Sequence, residues 1–111
     1  MEKLFQKFAR LSSRPTAGEA KKWLNSKDKP LAVDMRDDWE IALGTIEGGL
    51  QIPLAELRNK MDALPKDRPL LVICRLGLRG AEAAQELRLH GFRAVNLLGG
   101  WEQWRKTRDI T

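Results

Sequence analysis

The sequence contains one cysteine, Cys74, and one histidine, His90, among its 111 residues. One cysteine cannot form a disulfide within the chain, and these two residues cannot supply the ligands of a structural zinc site. Because small proteins in oxidising compartments usually depend on disulfides, the composition predicts a reduced, cytoplasmic protein. We also expect no metal in its function.

Long apolar runs are missing as well, and none approaches the roughly 20 residues that a membrane-spanning helix needs. The first five residues mix charged and apolar side chains, a pattern that is not typical of a secretory signal. We therefore expect no interaction with a membrane.

The sequence has 20 basic and 15 acidic residues, which gives a net charge of +5. The basic residues are spread along the chain, and no known nucleic-acid-binding motif is present. We therefore do not expect nucleic acid as a partner. The excess of positive charge indicates instead a field that attracts small anions.

The length and a hydrophobic fraction of 42% suit one domain with a single core. Residues 1–15 are predicted to form an amphipathic helix and a connector, and residues 16–111 the domain itself. The apolar residues of that first helix recur at helical spacing: Leu4, Phe5, Phe8 and Leu11.

Predicted strands alternate with predicted helices along the domain. Four short apolar segments have the length of strands: 31–34, 50–52, 70–73 and 94–98. A helix is predicted between the second and third from the spacing of Leu54, Leu57, Met61 and Leu64. The third strand is apolar at every position, as expected in a parallel sheet covered on both faces. The pattern predicts an α/β fold with a mostly parallel central sheet flanked by helices on both faces.

A glycine- and arginine-containing loop follows the third strand. It reads Cys74-Arg75-Leu76-Gly77-Leu78-Arg79-Gly80. Active sites form beyond the carboxyl ends of parallel strands, and the next helix would direct the partial positive charge of its N-terminus at this loop. Its glycines allow the backbone N–H groups to point inward, and its arginines add positive charge. These features favour a stabilised, reactive thiolate at Cys74 over a buried, inert cysteine.

The sequence resembles a single rhodanese domain from about Thr16 to Trp104. Four stretches carry the resemblance in order: Leu31 to Arg36 with Trp39-Glu40, the segment 44–54, the loop Cys74 to Gly80, and Leu97 to Trp101 with Trp104. There are two departures. Thr45 stands where the family usually has histidine, and Gly80 stands where serine or alanine is common.

The resemblance implies a sulfurtransferase that works through a persulfide and needs no metal or organic cofactor. Cys74 attacks the outer sulfur of a small anionic donor such as thiosulfate. The loop that would hold this sulfur comprises Arg75, Leu76, Gly77, Leu78, Arg79 and Gly80. The acceptor is cyanide or a thiol, which includes the thiol of a partner protein, and the two half-reactions imply ping-pong kinetics. Within the loop, we expect Arg75 to bind the sulfonate end of thiosulfate.

Asp34 and Arg36 are candidate supports for the loop. Asp34 ends its strand at the same sheet edge as Cys74, where it would pair with an arginine and fix the loop. Arg79 could turn inward toward the sulfur or backward to a carboxylate such as Asp34, and we favour the backward orientation. The alternative is an exposed, turn-forming Asp34 whose charge pairing is superficial. Trp101 and Trp104 are expected to be core or rim aromatics rather than ligand platforms.

Other functions fit the sequence less well. Phosphatases with a similar loop place five residues between cysteine and arginine, whereas four separate Cys74 from Arg79 and leave less room for phosphate. A cysteine–histidine hydrolase would need His90, which the intervening helix places about 15 Å away. A non-catalytic regulatory module remains an alternative, as does a sulfur-exchanging domain of a larger flavin-dependent disulfide reductase.

Overall fold

The structure is a computed structural model that describes residues 14–107. The helix predicted near the N-terminus therefore lies outside the described residues. The helices are α1 (Ala17–Leu24), α2 (Asp38–Ile41), α3 (Leu57–Lys60), α4 (Leu78–Leu89) and α5 (Gly100–Lys106). The strands are β1 (Leu31–Asp34), β2 (Leu50–Gln51), β3 (Leu70–Ile73) and β4 (Ala94–Asn96). Within this part of the chain, no helix combines the length and apolar character needed to cross a membrane.

The four strands form one parallel sheet in the order β2-β1-β3-β4. Asp34 pairs with Ile73 across β1 and β3, and Val72 pairs with Asn96 across β3 and β4. Because the strands run in the same direction, their carboxyl ends meet at one edge. This register brings Asp34, Asn96 and the start of the cysteine loop together.

Apolar helix faces cover both sides of the sheet. Leu70 and Val72 of β3 pack with residues of α3 and α4 on one side. Leu71 and Ile73 pack on the other side with α1 and α5. Successive residues of a strand point to opposite faces of the sheet. Because helices cover both faces, all four side chains of β3 are buried. The predicted fold class, a parallel α/β fold with helices on both faces, is thus confirmed.

The segment between β2 and β3 differs from the single helix predicted there. It consists of a 3₁₀ turn (Leu54–Glu56), α3 and a second 3₁₀ turn (Met61–Ala63). Asn59 and Asp62, which have low helix propensity, lie within it. The predicted apolar side still packs on the core, with Leu57, Met61 and Leu64 buried and Leu54 partly buried.

Helix α4 begins earlier than its composition suggested. Alanine, glutamate, glutamine and leucine are abundant only from residue 81, but the helix starts at Leu78, directly after the N-cap residue Gly77. Gly77 has a φ of 88°, which glycine adopts without steric cost. The earlier start places Gly80 in the first turn, where backbone N–H groups have no partner within the helix.

Candidate active site

Cys74 lies directly after β3, where the chain turns into the loop before α4. Its Sγ atom accepts hydrogen bonds from the backbone N–H groups of Gly77 at 2.9 Å and of Gly80 at 3.1 Å. Two N–H donors aimed at one sulfur stabilise a thiolate, because hydrogen bonds to an ionised acceptor are stronger than those to a neutral one. The arrangement is suited to a nucleophilic sulfur.

The N-terminus of α4 adds to this stabilisation. The helix has 12 residues, and its aligned peptide dipoles give the first turn a partial positive charge. Gly80, one of the two donors to Cys74, belongs to that turn. The predicted arrangement, with a helix N-terminus directed at the cysteine, is therefore present.

A cavity of about 590 Å³ opens beside Cys74. Loop and helix residues around it include Arg36, Trp39, Leu54, Arg75, Leu76, Leu78 and Arg79. Cys74 itself is only 7% exposed, whereas Arg75 and Arg79 are exposed. A substrate would therefore meet the two arginines at the mouth of the cavity before it reaches the sulfur.

Asn96, at the end of β4, contacts the loop from beneath and was not identified from the sequence. Its Nδ2 atom donates a hydrogen bond to the carbonyl oxygen of Gly77 at 2.7 Å, and the residue is 2% exposed. Its Oδ1 atom is buried and has no hydrogen-bond partner among the described residues. The one sequence signal was a polar residue within an otherwise apolar strand.

Gly80 fits against the side chain of Asn96. A β-carbon at position 80 would lie 2.2 Å from Oδ1 of Asn96 and 3.1 Å from Sγ of Cys74. The first separation is far below van der Waals contact, so the amide would have to move. The departure from serine or alanine at position 80 therefore matches the orientation of Asn96 in this chain.

The N-terminus of α5 packs directly on the back of the loop. Trp101 N donates to the carbonyl oxygen of Cys74 at 2.8 Å, and Glu102 N donates to that of Arg75 at 3.1 Å. A β-carbon on Gly100 would lie 2.3 Å from the Cys74 carbonyl oxygen. The approach of α5 to the loop therefore requires glycine at position 100.

Asp34 is paired with Arg36, and the predicted ion pair with Arg79 is wrong. Arg36 Nη2 lies 2.9 Å from Asp34 Oδ2, and Arg36 Nε donates to Oδ1 at 3.0 Å. Both residues are buried, so the predicted exposure of Asp34 in the alternative is wrong, whereas the prediction that Asp34 pairs with an arginine is confirmed, with Arg36 as the partner. A buried carboxylate needs a well-aligned partner, and Arg36, two residues along the same chain, supplies a forked one. Arg79 instead lines the cavity and forms no salt bridge within residues 14–107.

Thr45, the other departure from the family pattern, joins this pair. Its Oγ1 atom donates to Asp34 Oδ2 at 2.7 Å. The Arg36 guanidinium also donates to the Gly44 carbonyl oxygen at 2.6 Å and lies 4.3 Å from the centre of the Trp101 ring. Threonine thus supplies a hydrogen bond to the buried carboxylate, and the network reaches the helix that backs the Cys74 loop.

The remaining candidates lie away from the sulfur. His90 caps the C-terminal end of α4, with Nδ1 2.9 Å from the Glu86 carbonyl oxygen, at the opposite end of the helix from Gly80. Residues 14–107 contain no group of three or more histidine, cysteine, aspartate or glutamate side chains suited to a metal ion. Trp101 and Trp104 are partly buried against the core, as predicted.

Charges near the loop include Glu102, at the start of α5. A hydrogen bond from Arg105 is the largest cause that lowers the pKa of the Glu102 carboxyl, and the charges of Lys106 and Arg75 lower it further. Glu102 therefore stays ionised at neutral pH. Its carboxylate is bonded to Arg105 Nε at 2.8 Å, and Arg75 lines the cavity.

The comparisons with known proteins agree with this geometry. A family model described as the Rhodanese-like domain matches residues 16–107. The chain is 39% identical over 77 residues to a sulfurtransferase from Allochromatium vinosum, covering 68% of this chain and 72% of that protein. It is 32% identical over 85 residues to thiosulfate sulfurtransferase GlpE from Coxiella burnetii, covering 75% of this chain and 79% of that protein.

Solved structures show the same relationship. Human single-domain sulfurtransferase TSTD1 matches with a TM-score of 0.72 at 27% sequence identity, covering 86% of this chain and 96% of that one. A rhodanese-related protein from Thermoplasma volcanium matches with a TM-score of 0.79 at 28% identity, covering 87% and 95% of the two chains. The chain belongs to the rhodanese-like family.

Proposed function

We propose that this protein transfers sulfane sulfur from thiosulfate to a thiophilic acceptor through a persulfide on Cys74. Its membership of a family with named sulfurtransferases supports sulfur transfer in general terms. The observation that carries the specific proposal is the pair of N–H groups, from Gly77 and Gly80, on the sulfur of Cys74. A relative named thiosulfate sulfurtransferase supports the choice of donor.

In the first half-reaction the Cys74 thiolate attacks the outer sulfur of thiosulfate. A new S–S bond forms to Cys74 while the S–S bond of thiosulfate breaks, and sulfite leaves with the electron pair of that bond. The product is Cys74–S–S⁻, which carries one negative charge. The positive end of α4 and the loop N–H groups stabilise negative charge at this position.

Arg75 is the residue that we assign to the sulfonate end of the donor. It is exposed beside Cys74 and lines the same cavity. A guanidinium can donate two hydrogen bonds to one oxyanion, and it remains charged at all physiological pH values. Arg75 would thus orient thiosulfate with its outer sulfur toward Cys74.

In the second half-reaction an acceptor nucleophile attacks the terminal sulfur of the persulfide. Cys74 leaves as a thiolate and takes the bonding electron pair, so the enzyme returns to its starting state. Cyanide becomes thiocyanate, and a thiolate becomes a persulfide. No external oxidant or reductant is required, because the neutral sulfur atom moves with its oxidation state unchanged.

Steady-state kinetics with thiosulfate and cyanide test the proposal. Two half-reactions through a covalent intermediate predict parallel double-reciprocal lines as one substrate is varied at fixed levels of the other. Sulfite should also appear when no cyanide is added, at one equivalent per Cys74. Intersecting lines, or sulfite release only in the presence of cyanide, would contradict a persulfide intermediate.

A further inference from the structure

A second cavity lies at the opposite edge of the sheet from Cys74. It also has a volume of about 590 Å³, and it shares no lining residue with the cavity beside Cys74. Two of its residues, Pro30 and Arg68, closely precede β1 and β3, so the cavity opens at the amino ends of the strands. Trp104 of α5 and the carboxyl end of α1 form other walls. We call this cavity the amino-edge groove.

The floor of the amino-edge groove is apolar. Pro30, Ala32 and Ile46 line it and are buried, and Leu24 adds a partly buried side chain at one wall. Ligand sites usually have volumes of roughly 300–1,000 Å³ and combine apolar walls with a few polar groups. The apolar floor, which consists of Pro30, Ala32 and Ile46, therefore offers a surface for the apolar body of a ligand.

Two cations in the lining of the groove have no counter-ion. Lys29 and Arg68 form no salt bridge in the part of the chain that the structure describes. Arg68 is half-buried, and its Nη2 atom donates to the Lys29 carbonyl oxygen at 3.3 Å. A guanidinium has five N–H donors in a planar fork. The remaining donors can bind a carboxylate or phosphate group next to the Lys29 ammonium.

The third cation of the groove, Lys21, is already engaged. Its Nζ atom donates to the carbonyl oxygen of Thr107 and lies 4.9 Å from the centre of the Trp104 ring. Lys21 and Lys22 also lie in the last turn of α1, where they offset the partial negative charge of that helix end. An anionic ligand would therefore be held by Lys29 and Arg68 rather than by Lys21.

Glu47 is the acidic residue among the described residues that line the groove. It precedes β2, whereas Arg68 precedes β3, and the strand order places β1 between them. Neighbouring strands lie about 4.8 Å apart, so these two ends of the groove are separated by roughly 10 Å. Glu47 makes no salt bridge with residues 14–107 and would repel an anion. The groove is thus positive at one end and negative at the other.

We propose that the amino-edge groove binds a small organic acid through one anionic head. The head, a carboxylate or a phosphate, contacts Lys29 and Arg68. The apolar body lies on the apolar floor and extends toward Glu47, which rejects ligands that carry a second anionic group at the far end. Binding involves no covalent step and no contact with Cys74.

Titration of the isotopically labelled protein with a matched set of eight-carbon ligands tests the proposal. Octanoate and octyl phosphate each carry one anionic head, octanol and octylamine carry a neutral and a cationic head, and suberate carries a carboxylate at both ends. Binding is followed by NMR through the backbone N–H group of Gly48 and the indole N–H group of Trp104. Both residues line the groove.

The better of the two single-headed anions should bind at least about tenfold more tightly than octanol or octylamine, since charged hydrogen bonds are lost with either of those heads. Which anion is better identifies the head group. Suberate should bind more weakly than octanoate, and Glu47→Gln should remove that difference. Lys29→Ala should weaken octanoate binding about tenfold. Lys27→Ala removes an exposed lysine outside the lining and should leave binding unchanged.

Equal affinity for all five ligands, or no shift of the Gly48 and Trp104 signals with any of them, would overturn the proposal. Loss of binding in Arg79→Ala rather than in Lys29→Ala would also overturn it, because the ligands would then lie in the cavity beside Cys74. All of these variants change exposed side chains, so each is expected to fold.

Discussion

The amide of Asn96 donates a hydrogen bond to the carbonyl oxygen of Gly77 at 2.7 Å, across 19 positions of the chain. Gly77 is also one of the two N–H donors to the sulfur of Cys74. The last residue of β4 therefore holds the residue whose N–H group donates to the sulfur of Cys74.

Asn96→Ala should lower the reactivity of Cys74 in a protein that still folds. Loss of the hydrogen bond to Gly77 frees the loop, and we expect thiosulfate turnover to fall about tenfold, with a loss of unfolding free energy of about 1–3 kcal/mol. Alkylation of Cys74 by iodoacetamide at neutral pH should slow as well. Asn25→Ala, at an exposed helix end, is the control. Unchanged alkylation and turnover in a folded Asn96→Ala protein would rule out this positioning role.

Gly80→Ala should destabilise the protein because its β-carbon would meet Oδ1 of Asn96. Overpacking of this kind costs about 1–3 kcal/mol. Asn96→Ala removes the obstructing atom, so the double variant should lose less stability than the two single variants combined. Urea denaturation of the wild type, the two single variants and the double variant measures the coupling free energy between positions 80 and 96. Additive losses would show that Gly80 and Asn96 do not constrain each other.

Asp34→Asn should be strongly destabilising because it leaves the buried Arg36 guanidinium without its carboxylate. Breaking a buried ion pair from one side costs about 3–5 kcal/mol. Arg79→Ala should change the unfolding free energy by less than about 0.5 kcal/mol, as expected of an exposed side chain that forms no salt bridge with residues 14–107. Thermal and denaturant unfolding of the Asp34→Asn and Arg79→Ala variants measure the two losses of stability. A larger loss from Arg79→Ala than from Asp34→Asn would contradict the pairing that the structure shows.

Arg75→Ala should raise the KM for thiosulfate at least about tenfold, since a charged hydrogen bond to the donor is lost. Stability should not change, because the side chain is exposed. Lys27→Ala removes another exposed positive charge, from the turn after α1, and so separates binding by Arg75 from the effect of the protein's net charge. An equal rise in KM in both variants would show that net charge, rather than Arg75, attracts the donor.

Local sequence was sufficient to place Cys74 and its loop between a strand and a helix. The apolar segment 70–73, Cys74 and the glycines follow one another directly, so strand, loop and helix could be placed from spacing alone. The parallel sheet followed from the alternation of strands and helices. Coverage of both faces of the sheet by helices could be predicted because every residue of β3 is apolar.

Contacts between distant segments could not be predicted in the same way. The role of Asn96 depends on the register of β4 beside β3, which the sequence does not specify. Asp34 could reach either of two arginines, and only the packing of Arg36 against Trp101 and Gly44 decides between them. The fit of Gly80 to Asn96 likewise required the orientation of one buried amide.

The mass of the intact protein after treatment with thiosulfate tests the central claim most directly. The account predicts a gain of one sulfur atom, located on the peptide that contains Cys74 and removed by cyanide. Cys74→Ser should fold normally and gain nothing, because a hydroxyl cannot form the persulfide. An unmodified wild-type protein, or an equal gain in folded Cys74→Ser, would contradict the proposal that Cys74 carries the transferred sulfur.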